Sequence, residues 1–408
     1  MPTARVLRAY ITTGLLFMLV PGTFLGVVNL LQVSSRESVG LVSSAWLQAH
    51  GHAQVFGWIG SFILGIGFYS LTQQHAGAPV RTRAAWTCWA LWTLGVSLRW
   101  IANVYDWQWR ALLPLSAALE LVAFLIFVSS VAGHRPTGET SRGLDLWIRV
   151  VISAVIGFGA TLIVNLVTSV MLAWQGESAA LPHLVDQRFL VLIAWGFLAP
   201  FIWGFSTKWL PVFLGLAPLR PAWLVSAMAI NVLGVLLTMA GLGGPATWCF
   251  VAGAVGVAFA IRIFEPAALM PKTRGVHASF PVFVRIAYVW LVIAAALGAA
   301  AARWDVSGGI WGASRHAFTV GFVSVMVFSI GQRVLPAFAS AGLLWSPRLM
   351  AWTLTLLVAG CTLRVSSEIL AYQHYAMWAW SVLPVSAIVE MTAFTGFAAN
   401  LLVSVYRS

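Results

Sequence analysis

Charge is what this sequence has least of. Asp, Glu, Lys and Arg make up only 8% of its 408 residues, hydrophobic residues make up 60%, and the mean hydropathy is +0.90, figures that exclude a water-soluble globular domain. Acidic residues are few, 11 against 23 Lys and Arg, for a formal net charge of +12. In a soluble chain that excess suggests nucleic acid. In this one it follows from the positive-inside bias of membrane proteins, with some anionic lipid contact, and no nucleic-acid partner is read from it. Cysteine is rarer still. Cys88, Cys249 and Cys361 all fall inside apolar runs and form no CxxC pair, which excludes a disulfide framework and covalent c-type haem attachment.

What the chain has in abundance is apolar runs of the length needed to cross a hydrocarbon core of about 30 Å. About twelve are predicted, at 9–31, 46–72, 84–103, 111–131, 147–171, 189–207, 223–241, 246–263, 281–302, 316–336, 349–370 and 377–404. The fold class is therefore an all-α integral membrane protein, a single membrane domain over 1–408. The first run is too long for a signal peptide and lacks a clear cleavage site, so it is read as retained. An even number of spans puts both termini on one side. Alternate connections carry Arg5 and Arg8, Arg81 and Arg83, Arg135 and Arg142, Lys208 and Arg220, Lys272 and Arg274, Arg333 and Arg348, and Arg407. The opposite connections hold mostly single arginines offset by acids. Both termini are accordingly expected on the cytoplasmic side.

An internal repeat organises these spans. "HAQVFG" at 52–57 matches "HAFTVG" at 316–321, "GVSLRW" at 95–100 matches "GCTLRV" at 360–365, and "LPLSAALELVAF" at 113–124 matches "LPVSAIVEMTAF" at 383–394. The His-to-Arg separations agree within one residue, 47 (99 − 52) and 48 (364 − 316). A fainter middle copy pairs "KWLPVF" at 208–213 with "RVLPAF" at 333–338. That offset of 125 places Val191 opposite His316, so the middle copy lacks the polar set. The expected architecture is three pseudo-repeated four-helix units, approximately 1–135, 136–270 and 271–408.

The repeated polar residues are the candidate site. Ionisable groups inside a bilayer are costly and are usually paired or functional. His52 and His316 fall at matched depth in the outer part of the membrane, where two imidazoles on different helices suit the axial positions of a haem iron. The alternative is that each histidine caps its helix or meets interfacial water. Arg99 and Arg364 share that depth and suit haem propionates, although Glu368, one turn from Arg364, offers a local ion pair. His50 stands about 200° around the helix from His52, and so faces a different neighbour: a second cofactor, a metal shared with His183, or water. Glu120 and Glu390 lie mid-membrane at equivalent positions, as protonated hydrogen-bond donors or as parts of a proton route. His75, His134, His277 and His374 have no partner pattern.

Twelve spans with histidines heading the second and tenth resemble the haem-copper oxidase subunit I superfamily. Within it, "HGHAQVFGWIGSFILGIG" from residue 51 and "RHAFTVGFVSVMVFSIGQRVLPAF" at 315–338 are similar to the NnrS branch, bacterial membrane proteins described as haem- and copper-containing and linked to nitric oxide stress. The resemblance implies haem b and allows copper. The oxidases, however, hold their active-site copper with histidines on spans six and seven, and "VLIAWGFLAPFIWGF" and "AWLVSAMAINVLGVLL" contain none. Converging copper ligands are thus missing from the sequence.

These observations predict a b-type haem protein serving electron transfer or nitric oxide response, beside a redox partner or other membrane subunits. No residue is assigned a catalytic role. Two other readings stand beside it: a transporter using Glu120 and Glu390, and a structural subunit of a respiratory complex packing through its 22 tryptophans.

Overall fold

The computed structural model describes residues 2–38, 40–74, 82–132, 144–338 and 343–407, and every regular element among them is helical. Arg81, Arg135, Arg142, His75 and His134 lie outside the described residues. Eleven helices are long and apolar enough to cross a membrane. They are α1 (Ala4–Arg36), α2 (Ser44–Ser70), α4 (Trp109–Ala132), α5 (Leu146–Gln175), α6 (His183–Leu214), α7 (Pro221–Met239), α8 (Gly243–Ile261), α9 (Phe280–Trp304), α10 (Gly309–Phe338), α11 (Pro347–Tyr372) and α12 (Ala379–Tyr406). Between α2 and α4 runs α3 (Thr82–Tyr105). Its 24 residues are long enough to cross, but Arg83 and Arg99 make it less apolar than the others, and it is shielded by packing against α4 and α2.

The helices outrun the apolar segments that predict them, since a helix continues into the interface once nucleated. α6 begins at His183 and α10 at Gly309, several residues before the apolar run. His316 therefore lies about two turns inside α10, and His52 lies equally deep in α2, whose N-cap is Ser43, accepting from the Trp46 amide at 3.4 Å. Neither histidine caps its helix.

Four helices contain π-helical stretches: Met18–Phe24 in α1, Ala53–Gly60 in α2, Leu192–Leu198 in α6 and Ala317–Ser324 in α10. The last three begin immediately after His52, Val191 and His316. The residue five positions beyond each of those is a glycine, and each stands where the preceding helix crosses. A side chain at Gly57 would lie 2.7 Å from Phe17 Cβ of α1, and one at Gly321 2.5 Å from the Trp290 ring of α9. At the middle position the approach is closest: a Cβ on Gly157 of α5 would lie 1.8 Å from the Gly196 carbonyl oxygen. Only glycine permits that separation of backbones.

Each of α2, α6 and α10 sits between two groups of helices. α3, α4 and α5 follow α2, α7 to α9 follow α6, and α11 and α12 follow α10, with α1 closing the ring by packing on both α12 and α2. The compartment beside α6 is filled by rings: Trp195 stacks on Phe250 at 4.7 Å and meets Phe318 at 5.1 Å. The lower part of the first compartment is filled in the same way, with Phe158 stacked on Phe197 at 4.1 Å.

Candidate functional site

The upper part of the first compartment is a closed polar network. His52, 7% exposed, donates from Nε2 to Glu120 Oε1 at 2.7 Å, and Glu120 is fully buried. Asn165 of α5 reaches the other carboxylate oxygen at 3.4 Å, and Ser116 lies 3.5 Å from the first. Arg99 donates to Asn165 Oδ1 and Ser169 Oγ, both at 3.1 Å. The His52 ring lies on Phe56 at 4.4 Å, which leaves it one orientation. Burying charge in this way costs several kcal/mol unless the groups satisfy one another, and here nearly all of them do.

The third compartment contains the repeated residues in the same backbone frame. Gly95 admits Glu120, since a Cβ at that glycine would lie 2.9 Å from Glu120 Cγ, and Gly360 admits Glu390, with the corresponding separation 2.6 Å. The side chains are not satisfied in the same way. Glu390 Oε1, Glu368 Oε2, and Nε and Nη1 of Arg364 are buried without a hydrogen bond, although Arg364 Nη1 stands 3.3 Å from Glu368 Oε2. His316 Nδ1 is 3.8 Å from that same oxygen, and its imidazole is within bonding reach of the Gly312 carbonyl one turn earlier. The His316 side chain is 26% exposed, a gap left beside a histidine deep inside a helix.

His50 belongs to this compartment. It donates from Nδ1 to the Gly22 carbonyl in the π stretch of α1 at 2.8 Å, and its ring covers Gly26, where a Cβ would lie 2.7 Å from Cε1. With Nδ1 carrying the proton, Nε2 holds a lone pair. Arg364 and His316 lie within electrostatic reach of it. The two histidines of the α2 motif thus face opposite compartments, as their angular separation predicts. His52 is held by the Glu120 carboxylate, whereas His50 is held by the Gly22 carbonyl.

The other predicted residues are separate from both groups. His183 meets Gln187 at 2.8 Å on the exposed start of α6, and no contact joins it to His50. His277 bonds Ser279 at 2.7 Å. Glu120 and Glu390 have no neighbour in common. Among the described residues no three His, Cys, Asp or Glu side chains gather as a metal set.

A family model, NnrS protein, matches residues 8–407. The chain belongs to the NnrS family. No curated protein matches it. It is thus an NnrS-family multi-pass membrane protein, and both compartments lie within the matched region.

Sequence reading identifies His50, His52, Arg99, Glu120, His316, Arg364 and Glu390, but misses Asn165, Ser169, Gly22 and Gly26, which decide how the two compartments differ. Asn165 and Ser169 are detectable as polar residues one turn apart in a mainly apolar span. The role of the two glycines is not, because it depends on α1 packing beside α2.

Proposed function

We propose that this NnrS-family protein binds haem b in its third compartment and uses it for electron transfer or nitric oxide response in a bacterial inner membrane, with both termini cytoplasmic. The observation that carries this reading is that two half-buried imidazoles, His50 and His316, both lie within electrostatic reach of Arg364, whose Nε and Nη1 are buried without a hydrogen bond. Unpaired buried charge is costly, and a ligand bearing both a metal and carboxylates would satisfy it. His50 would hold the metal through Nε2, since a backbone carbonyl holds its Nδ1 proton, the usual arrangement behind a metal-bound imidazole. His52 is held by Glu120 through Nε2 and could meet a metal through Nδ1 alone. Arg364 would take a propionate, whereas Arg99 is already held by Asn165 and Ser169.

Bound in this way, haem supplies a reversible one-electron centre. The apolar walls exclude water, the Gly22 carbonyl orients His50, and Arg364 balances negative charge. With both His50 and His316 holding it, the group would supply electron transfer rather than turnover. The matched π stretches and crossing glycines of α2, α6 and α10 support the reading of three four-helix units and a haem-copper oxidase-like ancestry.

Visible spectra of the purified protein, oxidised and dithionite-reduced, test the reading. A low-spin b-type spectrum is expected, abolished or turned high-spin by His50→Ala and by His316→Ala and retained by His52→Ala. Loss in His52→Ala with retention in His50→Ala reverses the assignment. A colourless protein from haem-replete cells overturns haem binding.

A further inference from the structure

On the opposite membrane face, at the end of α8, the chain has a second site unrelated to the histidines. A crevice of about 340 Å³ opens between α8 and α9, lined by Val255, Ala258, Phe259 and Val292, with Arg262 and Glu265 at one end. Val255, Phe259 and Arg262 follow one another at i, i+4 and i+7, so they form a single stripe along α8 that runs from hydrocarbon to guanidinium. Phe259 and Val255 are 43% and 48% exposed, and Phe264 beyond the helix end is 53% exposed.

Arginine is concentrated at the polar end. Arg220 lies 2.8 Å from Glu265 Oε1, and Arg262 is 2.9 Å from Oε2. Arg220 also stacks over the Phe259 ring at 3.9 Å. Arg285 of α9 donates to the Ile263 carbonyl at 3.0 Å and approaches that of Glu265 at 3.4 Å. Two guanidinium groups thus share one carboxylate while Arg285 is held by backbone carbonyls, so the cluster keeps a positive excess, and Arg262 Nε is buried without a partner. The turn that follows presents Leu269 and Met270, 73% and 90% exposed, and then Lys272, so it rests at the level where hydrocarbon meets headgroups.

We infer that this crevice binds an anionic phospholipid, with an acyl chain along Val255 and Phe259 and the phosphate at Arg262 and its neighbouring arginines. A hydrocarbon slot ending in net positive charge complements a molecule made of a hydrocarbon chain ending in a phosphate. The cluster sits on the side that the arginine count assigns to the cytoplasm, where anionic headgroups face it.

The full-length protein in vesicles of phosphatidylcholine with phosphatidylglycerol, extracted into mild detergent, tests this by native mass spectrometry. Selective retention of phosphatidylglycerol is expected, falling about fivefold in Arg262→Gln, the share of one surface arginine. Val255→Trp fills the slot without touching the charges and is expected to lower retention as well, which covers the case that Arg262→Gln does not fold. Equal retention of the two lipids, or unchanged retention in both variants, overturns the proposal. So does thermal stabilisation by inorganic phosphate equal to that by phosphatidylglycerol, since the site would then read phosphate alone.

Discussion

The first and third compartments start from the same residues and end differently. Each has a histidine on the helix entering it, an arginine and a glycine four residues apart on the next, and a glutamate packed against that glycine. In the first, α5 contributes Asn165 and Ser169, and the set closes into a bonded network. In the third, α1 contributes Gly22 and Gly26 instead, His50 enters from α2, and the charges of Arg364, Glu368 and Glu390 are left partly unpaired. A repeated motif thus sets the frame, and the residues on the helix that closes the ring decide how far its polar groups satisfy one another.

The comparison is broken most severely at the helix crossings. Gly157→Val places a side chain where the Gly196 carbonyl stands, and this overpacking against backbone exceeds the usual penalty of about 1–3 kcal/mol. Loss of monodisperse protein in size-exclusion chromatography is expected, and a well-folded variant would show that the approach of α5 to α6 is not needed.

A smaller effect sharpens the contrast. Gly26→Val removes the space under the His50 ring, making the third compartment resemble the closed first one. The expected outcome is folded protein with the haem absorbance lost or turned high-spin. An unchanged spectrum places the ligand elsewhere.

Removing the two glutamates at constant volume ranks the compartments by stability. Glu120→Leu strands His52 and Asn165 and is expected to cost about 1–3 kcal/mol. Glu390→Leu removes a carboxylate with an unpartnered oxygen and is expected to cost less or to stabilise. Thermal unfolding in detergent checks this, and the opposite order would mean that the third compartment is the better satisfied.

The smallest effect lies outside the membrane spans. Burial raises the pKa of Glu265, but hydrogen bonds and charge from Arg262 and Arg220 outweigh it and hold the carboxyl below its ordinary value. A carboxyl lowered on folding stabilises the folded state above its unfolded pKa, and that contribution is lost as pH falls through the folded value. A slight decline in the unfolding midpoint is expected through the acid carboxylate range, flattened in Glu265→Gln.

Much of this was legible in the residues. Hydropathy locates the spans to within several residues, because crossing a bilayer demands a minimum apolar length. The histidine, arginine and glutamate repeats are visible because both copies keep them in one order inside matching short motifs. The middle copy is harder to see, yet it retains Gly196 where the others have Gly57 and Gly321, since the backbone crossing outlasts the polar chemistry.

Spacing along α2 was enough to establish that His50 and His52 point to different sides, since a helix turns about 100° per residue whatever surrounds it. It was not enough to say what each of them meets. That depended on α1 packing beside α12 and α2, bringing Gly22 and Gly26 to one imidazole, while α4 and α5 brought Glu120 and Asn165 near the other. Local periodicity determines the angle between two side chains, whereas their partners come from helices far away in the chain, and the packing of the whole bundle selects them.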